Sequence, residues 1–68
     1  MKLSARNQIK GIVKTINLGT TTAHVQIEVD GVIITSSITN EAVKDLKLKV
    51  GQVAYAVIKA SDVMIAID

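Results

Sequence analysis

Two short clusters in this sequence combine hydroxyls, backbone amides and a cation. Ser4-Ala5-Arg6-Asn7 stands near the start and Lys59-Ala60-Ser61 near the end. Groups of these types suit the capture of a tetrahedral oxyanion. A dianion leaving water loses strong hydration, and a shell of N–H and O–H donors must replace it. One or two cations suffice when fixed backbone dipoles share the neutralisation. The chain offers further hydroxyls from four Ser and six Thr, several beside turns, among them Thr20, Thr21, Thr22 and Thr39. Each cluster is weak by itself, because Ser and Asn ahead of a strand commonly shape a turn and Lys-Ala-Ser is an ordinary surface loop.

Other chemistries find less support. The carboxylates Glu28, Asp30, Glu41, Asp45, Asp62 and Asp68 are dispersed, and the one histidine, His24, has no Ser/His/Asp ordering around it. The four glycines are too scattered for a phosphate-binding loop. An enzyme is therefore not expected. Without cysteine, neither disulfides nor thiolate metal sites can form, and one histidine cannot build a zinc site. Single-stranded nucleic acid is bound on aromatic platforms at about 1–3 kcal/mol per stacked base, and Tyr55 is the sole aromatic residue. Lys10, Lys14, Lys44, Lys47 and Lys49 could meet phosphates, but eight Lys and Arg against six Asp and Glu give a net charge of only +2. Such a balance suits a small anion better than a polyanion.

The elements that must position these groups are short and mostly extended. Residues 9–18 read as a first strand, with Gly11 marking a bulge or a close backbone approach. Along 22–30, Ala23, Val25, Ile27 and Val29 alternate with Thr22, His24, Gln26, Glu28 and Asp30, the period of a half-buried strand. Asp30-Gly31 then predicts a two-residue type I′ hairpin, with 32–38 as its partner. Over 40–48 the period changes to that of a helix. Thr39 or Asn40 caps it, Glu41 suits its positive end, and Gly51 closes the segment. Residues 52–58 and 62–67 read as two more strands. Five strands with one short helix between the third and fourth predict an all-β, OB-type barrel.

Size and composition add a demand for company. Sixty-eight residues make one domain, and chains this short commonly need a disulfide, a metal or a partner subunit. With 49% apolar residues and strands that look apolar on both faces, self-association is the expected stabiliser. No run reaches the roughly 18 apolar residues of a membrane span, and Ser4, Arg6, Asn7 and Gln8 fall where a signal peptide would need its apolar stretch. A cytoplasmic location without a membrane partner is the expectation.

Taken together, the clusters and their separation resemble a known family. Ser4-Ala5-Arg6-Asn7-Gln8 is followed by Gly11-Ile12-Val13. Ile38-Thr39 precedes a short helix and Leu46-Lys47-Leu48-Lys49-Val50-Gly51. Ala56-Val57-Ile58-Lys59-Ala60-Ser61-Asp62-Val63-Met64-Ile65 completes the pattern. This is similar to the Mop domain, the unit of the molbindins, over essentially the whole chain, 1–68, as a single domain. The resemblance implies the same OB-type fold and a cytoplasmic protein that binds molybdate, and also tungstate, for molybdenum storage or homeostasis. It also implies self-assembly as a homohexamer, a trimer of dimers, with oxyanion sites at subunit interfaces. Related Mop domains occur in regulators and transporter ATPase subunits. This chain carries no such portion and resembles the free-standing form.

Carried over residue by residue, the resemblance gives Ser4 a donating hydroxyl and Arg6 a donating main-chain N–H. Thr39 adds a hydroxyl, Lys59 the charge, and the backbone at Ala60 or Ser61 another donor. The family often has Ser three positions after Thr39. Ala42 stands there, so one donor is lost, with water, Asn40 or a helix amide as substitutes. A second site near a threefold axis would use Thr20, Thr21 and Thr22. Two alternatives stay open beside this one: a single-stranded nucleic-acid-binding OB-type module, and a purely structural oligomerisation module without a ligand.

Overall fold

The computed structural model describes all residues, 1–68. Four strands, β1 (Asn7–Leu18), β2 (Thr22–Val29), β3 (Val32–Thr39) and β4 (Val53–Ile58), form one antiparallel sheet in the order β3-β2-β1-β4. A single helix, α1 (Asn40–Asp45), lies between β3 and β4, and a 3₁₀ turn follows at Ala60–Asp62. The Asp30-Gly31 hairpin forms as its sequence dictates, with φ of 48° and 82° at the two turn residues, both in the left-handed region that a type I′ turn requires.

The long first strand does the shaping. Its register with β2 slips between Val13 and Thr15, so the irregularity falls at Lys14, three residues after Gly11. There Val13 turns to the loop before β4: its N–H donates to the Gln52 carbonyl at 2.9 Å, and Gly51 N–H donates back to the Val13 carbonyl at 2.8 Å. Gly11 is the close approach. A Cβ there would stand 2.5 Å from Ile27 Cγ2 and 2.6 Å from the Glu28 carbonyl oxygen.

The core is small. Val13, Ala23, Val25 and Val43 are buried together, with Ile16, Ile38, Leu48 and Ala54 packed around them. Val43 enters this cluster because α1 is tightly delimited. Thr39 Oγ1 accepts from Ala42 N–H at 3.0 Å at its start. At its end Leu48 N–H donates to the Val43 carbonyl and Lys47 N–H to the Lys44 carbonyl. Lys47 sits at φ 52°, which makes the ending a Schellman motif, with Val43 and Leu48 as its apolar pair. The helix therefore stops at Asp45, three residues before the end predicted from periodicity.

The predicted fifth strand and closed barrel are corrected by the structure. Beyond the 3₁₀ turn, residues 63–67 pair with nothing, and Met64, Ile65 and Ile67 are 92%, 87% and 93% exposed. A β-branched, alternating segment is competent to extend, but a strand exists only when an edge receives its backbone hydrogen bonds. The sheet stays open, with β3 and β4 as its edges. Both edges line one groove of about 360 Å³, with Ile34 and Ser36 on one side and Tyr55 and Val57 on the other. The radius of gyration is 12.6 Å, above the roughly 11 Å of a compact chain this long. What is observed is an all-β, OB-like half-barrel of four strands with one short helix.

Candidate oxyanion site

Antiparallel pairing of β1 with β4 brings the two ends of the sequence together. Asn7 lies opposite Ile58, and Asn7 Nδ2 donates to the Ile58 carbonyl at 3.2 Å. Ser4 and Arg6 immediately precede this pair, and Lys59, Ala60 and Ser61 immediately follow it. The two clusters, over fifty residues apart in sequence, thus form one exposed pole. Lys59 and Arg6 make no ion pair there; the one salt bridge is Lys14 to Glu28 at 3.4 Å. The 3₁₀ turn holds the second cluster in place through Asp62 N–H donating to the Lys59 carbonyl at 2.9 Å. No groove of the single chain is lined by Ser4, Arg6, Lys59, Ala60 or Ser61, so these donors face outward without walls.

Thr39 is not among them. It lies at the opposite end of the sheet, directly across from Thr22. The twelve residues of β1 separate the ends, a contour of roughly 36 Å at strand rise. The second pole is tied down by Asn40. Its N–H donates to the Thr21 carbonyl at 2.8 Å, and its Nδ2 donates to the Gly19 carbonyl at 2.9 Å. Gly19 N–H donates to the Thr22 carbonyl at 2.8 Å, closing the turn that holds Thr20 and Thr21. Asn40 is thus turned to the β1–β2 connection, where it holds the threonine turn against the start of α1. Its Oδ1 is buried without a donor. Within one chain, Thr39 and the 20–22 turn thus lie at the same end of the sheet.

The structure also adds neighbours that the sequence reading left out. His24 lies across from Ser37 on β3 and Asn17 on β1, one alternation along from Thr22 and on the same face. The signal was present in the two-residue hairpin, because every β2–β3 pair lies equidistant from Asp30-Gly31. Tyr55, the one ring available for stacking, stands opposite Lys10 on β4. No three His, Cys, Asp or Glu side chains gather into a cation site, and no helix is long and apolar enough to cross a membrane.

An open OB-like half-barrel with hydroxyl, amide and cationic donors displayed at its two ends defines a small ligand-binding β module. Comparison with known proteins narrows the class. The TOBE domain family matches residues 3–65. The chain is 46% identical over 69 residues to a probable molybdenum-pterin-binding protein of Haemophilus influenzae, each covered over 100% of its length. It is 46% identical over 66 residues to molybdenum-pterin-binding protein 3 of Clostridium pasteurianum, covering 97% of that protein. Among solved structures, MopII from Clostridium pasteurianum superposes with a TM-score of 0.90 at 43% identity, covering 97% of this chain and 100% of that one. The cytoplasmic molybdate-binding protein ModG, in a form with molybdate bound, superposes at 0.88 with 51% identity, over 94% of this chain and 46% of that longer one. The chain belongs to the TOBE-domain family, and within it to the molbindins.

Proposed function

We propose that this chain binds molybdate, and tungstate by the same chemistry, in sites closed only when copies of it associate. The observation that carries this reading is the segregation of donors. Ser4, Arg6 and Lys59-Ala60-Ser61 occupy one pole and Thr39 the other, so one copy cannot bring all of them to one anion. When one pole of a copy meets the opposite pole of a second, the hydroxyls of Ser4 and Thr39, the Arg6 main-chain N–H, the backbone at Ala60 or Ser61 and the Lys59 ammonium converge. Donation from all sides then replaces the water shell, and Lys59 supplies charge. A second site would draw on Thr20, Thr21 and Thr22 at the other pole.

The exposed residues 63–67 and the unpaired edges of β3 and β4 support association. An apolar extended tail and an open groove in each copy are complementary between copies. A hexamer built as a trimer of dimers, each chain a single domain over 1–68, is the assembly this reading favours. Its role is storage or homeostasis of the anion inside the cytoplasm, with no bond made or broken. The cavity would reject sulfate by size, since hydrogen bonds to a smaller tetrahedron are long and weaken steeply. Protonated phosphate would need an acceptor that a donor-rich site lacks.

Thermal melting with molybdate, beside native mass measurement, tests the proposal. Binding to the folded state must raise the melting temperature, and ions should appear in fixed ratio to the assembled chains. An assembly whose melting ignores millimolar molybdate in sulfate-free buffer would refute it.

A further inference from the structure

We propose that Gln8 and Asn7 are positioning residues of the terminal pole. Their side-chain amides hold the peptide groups whose N–H donors meet the oxyanion, and so set its selectivity for molybdate over sulfate. The inference rests on the oxyanion reading above and deepens it, by naming what gives the backbone donors their aim. Each peptide group carries its C=O and its N–H on opposite sides of one plane, so whatever grips the carbonyl fixes the direction of the N–H. Gln8 Nε2 donates to the Ala5 carbonyl at 3.3 Å, and the N–H of that same peptide group belongs to Arg6. Asn7 Nδ2 donates to the Ile58 carbonyl at 3.2 Å, and the N–H of that group belongs to Lys59.

The same arrangement continues through the 3₁₀ turn. The Lys59 carbonyl accepts from Asp62 N–H at 2.9 Å and the Ala60 carbonyl from Val63 N–H at 3.3 Å. The N–H groups of these two peptides belong to Ala60 and Ser61. Four peptide groups at this pole thus have an engaged carbonyl, while their N–H groups, on Arg6, Lys59, Ala60 and Ser61, donate to nothing within the chain. The interior of a strand or helix uses both ends of each peptide group; here one end is held and the other is on offer. Two of the four grips come from backbone and two from side chains. Asn7 and Gln8 are neighbours in β1, so their side chains leave opposite faces of the sheet. One reaches the end of β4 and the other the segment ahead of β1.

The Gln8 contact is the only hydrogen bond that residues 1–6 make. It is therefore the one polar restraint on the segment that carries Ser4 and the Arg6 N–H. Accepting a hydrogen bond also polarises a peptide group, which makes its N–H a better donor. Rigidity bears on selectivity. A donor held at the radius of the larger anion leaves a smaller one with longer hydrogen bonds, and these weaken steeply. A donor free to swing follows either anion and discriminates less. Molybdate and sulfate are both tetrahedral dianions, so the ratio of their affinities cancels any change of charge near the site.

The experiment measures dissociation constants for molybdate, and for sulfate by competition, on the full chain and on Gln8→Met, Gln8→Lys, Asn7→Leu and Gln26→Met. Gln8 is exposed, so its replacement spares the fold. Gln8→Met keeps the length and loses the donor. It should weaken molybdate by about two- to tenfold, the span of one neutral hydrogen bond, and weaken sulfate less, so that the selectivity ratio falls. Asn7→Leu should act in the same direction. Gln8→Lys, which donates again, should restore the ratio. Gln26→Met removes an amide bonded to Thr15 and Thr35 elsewhere on the sheet and should leave the ratio unchanged. By NMR, the Arg6 amide proton should respond less to molybdate in Gln8→Met than in the natural chain. A ratio that survives Gln8→Met or Asn7→Leu overturns the role of the residue replaced, and an equal fall in Gln26→Met overturns both roles; the oxyanion reading then still stands. A natural chain that does not bind molybdate overturns that reading too.

Discussion

At the scale of single residues, charge and hydroxyl donors can be separated from charges that merely solvate the surface. Lys59→Ala removes the cation of the terminal pole and should weaken molybdate binding by about 10- to 100-fold, the span of one charge-assisted hydrogen bond of roughly 1.5–3 kcal/mol. Isothermal titration would read it. Lys47→Gly removes an equal charge from the end of α1 and should leave the dissociation constant unchanged. Equal effects of the two changes would place the anion elsewhere. The Thr39 oxygen caps α1, and the proposed site gives its hydroxyl a second duty as a donor. Thr39→Ala should therefore cost about 1 kcal/mol of stability besides affinity, whereas Thr39→Ser, which keeps the hydroxyl, should lose little of either in melting and titration.

Elements are held by a few local devices, and each answers to a substitution. Lys47 adopts φ 52° at the end of α1, a conformation that costs an L-residue about 1–2 kcal/mol and glycine almost nothing. Allowing for the greater freedom glycine has in the unfolded chain, Lys47→Gly should raise stability by about 0.5–1 kcal/mol, seen as a melting point several degrees higher. Gly11→Ala should do the opposite. Its methyl group would press on Ile27 Cγ2 and on the Glu28 backbone oxygen together, and backbone cannot yield as a side chain does. A loss of about 1–3 kcal/mol is expected, measured by denaturant unfolding.

For the whole molecule, the exposed tail and the open sheet make one prediction. Shortening the chain after Asp62 removes Met64, Ile65 and Ile67, which have no cover within their own chain. If the tail serves association, sedimentation should show the shortened protein dissociating to smaller species at concentrations where the full chain is assembled. On the proposed reading, in which opposite poles of two copies close each site, it should lose molybdate binding in the same step. An intact assembly after truncation would assign the interface to other surfaces, such as the exposed Ile12, Ile33 and Val53 of the outer face.

Local signals in the sequence determined most elements of this protein. Alternation over 22–30 set the inward face of β2, Asp30-Gly31 set the β2–β3 register, and Thr39 with Glu41 set the start of α1. Motif spacing marked Ser4, Arg6 and Lys59-Ala60-Ser61 as a group, and pairing of Asn7 with Ile58 sets the segments that carry them at one end of the sheet. Tertiary structure decided what depends on distance in space. It put Thr39 at the far end from those residues, joined it to Thr22 and His24, and turned Asn40 toward Gly19. It also left 63–67 unpaired, although the pattern there is as strand-like as that of β4. The physical reason is that periodicity reports which face of a segment prefers to be buried. Whether an edge is free to accept that segment, in its own chain or in another, depends on how the rest of the sheet curls, which no local pattern encodes.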